Sequence, residues 1–126
     1  MLKIAPTLIV DRIEPSLAFF TARLGFKKVA DVSGDNGALV FAMVTSGGIE
    51  VHLQTRASLA KDLPYLAKSA MPPASFLYID VANVRALHEE LKDCEILQPL
   101  EKKFYGATDF FLKEPGGHVI GFSQNE

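Results

Sequence analysis

Apolar and polar positions divide this chain into short, sharply bounded stretches. "LKIAPTLIV" is aliphatic and β-branched up to the polar pair Asp11-Arg12, which predicts a strand. In "EPSLAFFTARLGF" the period changes, with Pro15 near a helix start, Gly25 just past its end, and Leu17, Phe20, Thr21 and Leu24 at helical spacing. A helix with that apolar face is expected to cover a sheet. Three more strands are predicted over "FKKVADVS", "ALVFAMVT" and "IEVHLQ", joined by turns at Gly34-Asp35-Asn36-Gly37 and Ser46-Gly47-Gly48. A polar, helix-compatible connector follows from about 55 to 74.

The same order then returns. "SFLYIDV" reads as a strand, and "NVRALHEELKD" as a helix capped by Asn83 with Val84, Leu87 and Leu91 on its apolar face. "CEILQPL", "TDFFLKE" and "HVIGFSQ" read as three more strands, the last two joined by a turn containing Pro115, Gly116 and Gly117. "TLIVDRIEPSLAFF" parallels "FLYIDVANVRALHEEL", and "GGIEVHLQ" parallels "GGHVIGFSQ". The repeat is too long for a solenoid unit and describes a duplicated βαβββ module, about 1–54 and 75–126, within a single domain of 1–126.

With 126 residues and about half of them hydrophobic, the chain has enough apolar material for a core. Thirteen basic against fifteen acidic side chains, with no basic run, give no footprint for a phosphate backbone, so no nucleic-acid partner is expected. No apolar run approaches the roughly 20 residues that span a bilayer, so no membrane partner is expected either. Cys94 is the only cysteine, which rules out an intramolecular disulfide. "MLKIAPTLIV" lacks the basic start and long apolar core of a signal peptide, so a cytoplasmic protein is expected. Gly-x-Gly-x-x-Gly, P-loop, Gly-x-Ser-x-Gly and His-Glu-x-x-His motifs do not occur.

Three stretches, "LIVDRIEPSLAFFTARLGFK", "LYIDVANVRALHEELK" and above all "YGATDFFLKEPGGHVIGF", give the chain a resemblance to the vicinal oxygen chelate superfamily of glyoxalases, ring-cleaving dioxygenases and bleomycin resistance proteins. The resemblance covers nearly the whole chain. It implies an α+β fold in which two βαβββ modules pair into an open, curved mixed sheet around a cleft, and it implies a homodimer. Metal-dependent members take one ligand from the first strand and one from the last strand of each module. Those positions fall here on Ala5, Ala74, Glu50 and Gly121, of which only Glu50 carries a donor. A transition metal normally needs at least three protein ligands, so no metal and no other cofactor is expected.

Strand alternation indicates what a pocket would retain. In "IEVHLQ" the residues Ile49, Val51 and Leu53 belong under the helix, leaving Glu50, His52 and Gln54 on the cleft side. By the same parity Thr7 and Ile9, Phe76 and Tyr78, and Gly121 and Ser123 line the cleft, with Gly121 leaving extra room, and the resemblance adds Tyr105 at its border. Such a lining suits a small organic ligand with flat or cationic parts. The leading reading is metal-independent binding of such a ligand, similar to bleomycin resistance proteins, with drug or toxin sequestration as its purpose.

An enzyme is the alternative: a lyase or isomerase using Glu50 and His52 as acid and base, or a dioxygenase or other metalloenzyme whose metal is completed by a second subunit. A ligand-free scaffold is the third. Plain structural roles stand beside these for every residue. Glu50 and His52 are then half-exposed strand residues and Tyr105 shapes a loop, while His88 packs, His118 belongs to its turn and Cys94 is an inert thiol. Phe41 is among the aromatic residues open to a plain core role, and parity leaves open whether Phe110 or Phe111 faces the cleft.

Overall fold

A computed structural model describes residues 2–67 and 75–126. The chain divides into two compact units, Met1–Pro73 and Ala74–Glu126, each built from one open, four-stranded mixed sheet and its helices.

In the first unit the sheet runs β1-β4-β3-β2, with β1 at Thr7–Val10, β2 at Lys27–Ser33, β3 at Leu39–Ser46 and β4 at Ile49–Thr55. β1 pairs parallel to β4, setting Thr7 opposite His52 and Ile9 opposite Gln54, and the other pairs are antiparallel. The strand predicted from Leu2 starts only at Thr7. Pro6 has no N–H for a ladder, so it serves as an acceptor just ahead of the edge strand, taking the His52 N–H at 2.9 Å.

Helix α1, Ile13–Ala18, continues into a π-helical turn over Phe19–Arg23. The apolar face differs from the predicted one. Ile13, Ser16, Phe19 and Phe20 are buried, whereas Leu17, Thr21 and Leu24 lie half-buried. The physical reason is the wider turn. With Leu24 N–H bonded to the Phe19 carbonyl at 3.2 Å, five residues back, the adjacent Phe19 and Phe20 both turn inward. Phe20 meets Phe19 and Phe26 edge to face, and the cluster covers Ala42, Val44, Val51 and Leu53 on the underside of the sheet. Gly25, at φ +76°, ends the helix as the residue type that adopts this backbone without strain.

The connector contains α2, Arg56–Asp62, and α3, Pro64–Ala67. Thr55 caps α2 by accepting the Ser58 N–H at 3.2 Å.

The second unit repeats the plan in the order β5-β8-β7-β6. Its elements are β5 at Phe76–Asp80, α4 at Val84–Glu90, β6 at Glu95–Lys102, β7 at Ala107–Lys113 and β8 at Val119–Asn125. Asn83 caps α4 as expected, its Oδ1 accepting the Ala86 N–H at 3.0 Å. Val84 and Leu91 are fully buried, and α4 packs on β7 and β8 over Phe110, Leu112, Ile120 and Phe122. His88 stands edge to face on Phe110 at 4.9 Å, the packing role expected of it. Between β7 and β8, Glu114 is buried and organises the turn. Its carboxylate accepts the Gly116 N–H at 2.8 Å and the His118 N–H at 3.1 Å, while Gly117 turns at φ +96°. No helix among the described residues is long and apolar enough to cross a membrane.

Phe20 is fully buried at the centre of the first unit's core. Phe20→Ala is therefore expected to lower unfolding stability by about 3–5 kcal/mol, the usual cost of deleting a buried ring. Chemical denaturation followed by circular dichroism checks this, and a loss below about 1 kcal/mol would contradict the packing described.

Candidate functional site

Each sheet turns one face to its helix and leaves the other open, and strand alternation decides which residues stand on it. In the first unit Leu8, Val10, Val51 and Leu53 are buried, so Thr7, Ile9, Glu50, His52 and Gln54 fall on the open face together with Phe41 and Met43. Glu50 and His52 are brought together as expected. Their side chains keep 16% and 21% of their surface, and His52 Nε2 donates to Glu50 Oε2 at 2.6 Å. A carboxylate only accepts, so Nε2 carries the proton of this bond, and Nδ1 is the ring nitrogen left for another partner. Phe41 meets the imidazole edge to face at 5.3 Å.

Both Glu50 oxygens also accept from Lys3 Nζ, each at 3.0 Å. Hydrogen bonding from His52 first, and from Lys3 second, holds the Glu50 carboxyl below its ordinary value. Lys3 was no part of the sequence reading. It lies 47 positions from Glu50, and no local pattern links the two.

In the second unit Phe76 and Tyr78 stand on the open face, more than two-fifths exposed, as alternation predicts. The Phe110–Phe111 ambiguity is resolved: Phe110 is buried on the helix side, and Phe111 is half-buried on the open side. Rings of Phe76, Tyr78 and Phe111 form a contiguous aromatic cluster with centroid separations of 5.6, 5.9 and 6.5 Å, Phe76 standing edge to face to the other two while Tyr78 and Phe111 lie tilted by 31° and present the flatter surface.

Gly121 requires a correction. It leaves no extra room for a ligand, because the Phe111 and Tyr78 rings lie directly over it. A Cβ there would come within 2.6 Å of Phe111 Cε2 and 2.9 Å of Tyr78 Cδ1. The glycine makes room for the protein's own aromatic cluster. Ser123, named as lining, is only 2% exposed and lies opposite Asp109 in the β7–β8 register.

Asp109 is the residue that sequence reading missed. It stands in mid-strand on β7, fully buried, with Oδ2 accepting the Tyr78 hydroxyl at 2.8 Å and the Tyr105 hydroxyl at 2.9 Å. Its Oδ1 has no hydrogen-bond partner, and the nearest cation, Lys103 Nζ, is 4.0 Å away, beyond hydrogen-bond reach. A buried acceptor left unmade costs about 1–3 kcal/mol. The available signal was a lone aspartate interrupting the apolar run of "TDFFLKE". Tyr105, expected at a pocket border, is thus joined to Asp109. Its phenol is pushed above its ordinary value by the neighbouring Tyr78 hydroxyl first and the Asp109 carboxylate second, which keeps it a donor.

The positions matching the family's metal ligands hold little. Ala5 and Gly121 have no donor, Ala74 lies outside the described residues, and Glu50 is engaged by an ammonium and an imidazole. Among the described residues no three His, Cys, Asp or Glu side chains gather as a metal site would need, so this donor set does not fit a resident metal. A separate open cavity of about 400 Å³ lies in the first unit between the β2–β3 turn and α2, lined by Asp35, Asn36, Ser58 and Lys61 among others. It contains none of the site residues expected from the sequence.

Two successive βαβββ units, each with a helix-covered face and an open face, define a glyoxalase-type protein. The chain belongs to the Glyoxalase/Bleomycin resistance protein/Dioxygenase superfamily, whose profile matches residues 3–122. No curated protein matches its sequence significantly. Among solved structures, a glyoxalase/bleomycin resistance protein/dioxygenase family enzyme from Burkholderia phytofirmans PsJN is similar with a TM-score of 0.80 at 12% identity, covering 97% of both chains. TioX from Micromonospora sp. ML1 is similar with a TM-score of 0.77 at 17% identity, covering 98% of both chains. Lactoylglutathione lyase from Agrobacterium tumefaciens is similar with a TM-score of 0.75 at 12% identity, covering 97% of this chain and 92% of that one. At these identities the likeness is one of fold.

Two predictions follow from the geometry of the two faces. Because the Glu50 carboxyl is held below its ordinary 4.5, its contribution to stability is present above that pH and is lost as pH falls through the lowered value. Acid titration of unfolding stability is expected to show this fall in the wild type and a shallower one in Glu50→Gln. Gly121→Ala is expected to cost about 1–3 kcal/mol, the usual range for overpacking, since the added methyl meets both the Phe111 and the Tyr78 ring. Combined with Phe111→Ala, the added methyl loses its nearest contact and keeps only the one with Tyr78, so its cost is expected to shrink, and additive losses in that double-mutant cycle would show that the two residues do not touch.

Proposed function

We propose that the chain binds a small organic ligand with flat aromatic and cationic parts and does so without a metal, in the manner of the bleomycin resistance branch of its superfamily. The observation that carries this reading is the composition of the open faces. A three-ring cluster and carboxylates, Glu50 among them, occupy the side of each sheet that the helices leave free, and the metal-ligand positions carry a single donor already in use. Aromatic faces stack on flat ligands and attract cations, and a carboxylate adds a charge-assisted hydrogen bond. Sequestration of a drug or toxin is the role that fits binding without chemistry. A ligand cation at Glu50 replaces Lys3, whose side chain is 65% exposed and free to leave.

The test is a thermal-shift screen of cationic and aromatic compounds combined with metal analysis of the purified protein. Glu50→Ala is expected to weaken binding of the hits roughly ten-fold, the worth of one charged hydrogen bond, and to leave the fold intact. Stoichiometric zinc, iron, manganese or nickel that co-purifies with the wild type and is lost in Glu50→Ala would overturn the proposal.

A second reading, a lyase or isomerase, is favoured by one observation. The 2.6 Å bond from His52 to Glu50 orients the imidazole as such a base requires, with Nδ1 as the proton acceptor. Turnover that falls on both Glu50→Gln and His52→Gln, with ligand binding retained, would support it. We also propose a homodimer. The edge strand β2 is exposed along its whole length, Val29 and Val32 included, and an open edge of this kind favours pairing. Sedimentation at micromolar protein is expected to give twice the 13.8 kDa chain mass, and a monomer mass would contradict it.

A further inference from the structure

We infer that the second unit carries its own recognition site for an aromatic amine, in which Asp109 Oδ1 accepts a protonated nitrogen while the Phe76, Tyr78 and Phe111 rings receive the flat part. The inference rests on the ligand-binding reading above and assigns the charge recognition to a residue of the second unit other than those read from the sequence.

A carboxylate in the middle of a strand, with none of its surface exposed, is an expensive feature for a small sheet to keep. This one is supported on one side only. Two phenols saturate Oδ2, and Oδ1 is left without a hydrogen bond. Lys103 Nζ stands 4.0 Å from Oδ1 and 3.7 Å from a Glu101 oxygen, so one ammonium is shared between two carboxylates and fully satisfies neither. The local balance is one positive against two negative groups, which favours a further cation over an anion.

Tyr78 ties the acceptor to the aromatic cluster, because its ring meets Phe76 edge to face and lies tilted against Phe111 while its hydroxyl holds Asp109. A ring laid on the tilted Tyr78–Phe111 pair, with Phe76 edge-on beside it, therefore places a pendant ammonium about one phenol length away, beside the carboxylate. Entry requires a small movement. Lys103 and Tyr105 both belong to the β6–β7 hairpin, which turns at Gly106 with φ +94°, and the flexible lysine is the cation that an incoming ammonium replaces. An uncharged analogue gains nothing there, since displacing Lys103 would leave the buried carboxylate without a counter-charge.

The experiment is isothermal titration calorimetry of the intact chain with tryptamine and with tryptophol, its uncharged alcohol counterpart. Tryptamine is expected to bind about ten-fold more tightly. Asp109→Asn is expected to erase that preference. Lys103→Met, a change on the hairpin outside the core, removes the resident competitor and is expected to tighten tryptamine several-fold while leaving tryptophol unchanged. Equal binding of the two probes overturns this inference and leaves the ligand-binding proposal standing, as does a preference that survives Asp109→Asn and disappears in Glu50→Ala. If Asp109→Asn does not fold, Lys103→Met decides, and unaltered tryptamine affinity counts against the site. Failure of both probes to bind at millimolar concentration overturns this inference, and if the wider screen is also blank the ligand-binding proposal falls with it.

Discussion

Burial of one face of β4 and one face of β8 under a helix is the constraint from which the remaining features follow. Side chains alternate across a strand, so placing Val51 and Leu53 beneath α1 leaves Glu50, His52 and Gln54 no side but the open one. Placing Ile120 and Phe122 beneath α4 does the same for Gly121 and Ser123. A slip of one residue in either strand would put a carboxylate and an imidazole into the core, or expose Phe122. Register and site chemistry are therefore set by the same hydrophobic pattern.

The two open faces start from one plan and end in different chemistry. In the first unit a carboxylate is held by an imidazole and an ammonium, with a single aromatic ring, Phe41, against the histidine. In the second, the family-matching position is a glycine and the space above it is filled by the protein's own rings. The negative charge there has moved one strand over, to Asp109, where phenols supply the hydrogen bonds and the nearest lysine stands 4.0 Å off. A phenol donor stabilises a carboxylate without neutralising it, whereas Lys3 largely cancels Glu50. The two carboxylates thus present different demands to a ligand. At Glu50 a cation must compete with a lysine hydrogen-bonded to both oxygens, and at Asp109 with one that stands 4.0 Å off and leaves Oδ1 without a hydrogen bond.

Backbone adjustments enable this arrangement in small ways. The π-turn after α1 widens the apolar face so that two consecutive phenylalanines are both buried in one core. The buried Glu114 supplies the turn between β7 and β8 with two acceptors for otherwise unpaired amides, and so aligns Phe111 with Gly121 across the ladder. Neither feature touches a ligand, yet each places residues of the open faces.

How much of this was legible in the chain depends on the range of the interaction. The duplicated βαβββ order, the cap at Asn83, and the assignment of Glu50, His52, Phe76 and Tyr78 to open faces were readable, because strand parity and turn chemistry act between neighbours in sequence. The helix face was misread, since a π-turn alters the angular step and no residue type announces it. Ionic partners of Glu50, the roof over Gly121 and the environment of Asp109 were beyond reach for a different reason. Lys3 meets Glu50 across 47 positions and Tyr78 meets Asp109 across 31, so these contacts exist only once strands distant in sequence are brought into register. Local patterning determined which residues stand on the same face; tertiary pairing alone decided which of them touch, and therefore which charge is already answered and which is left for a ligand.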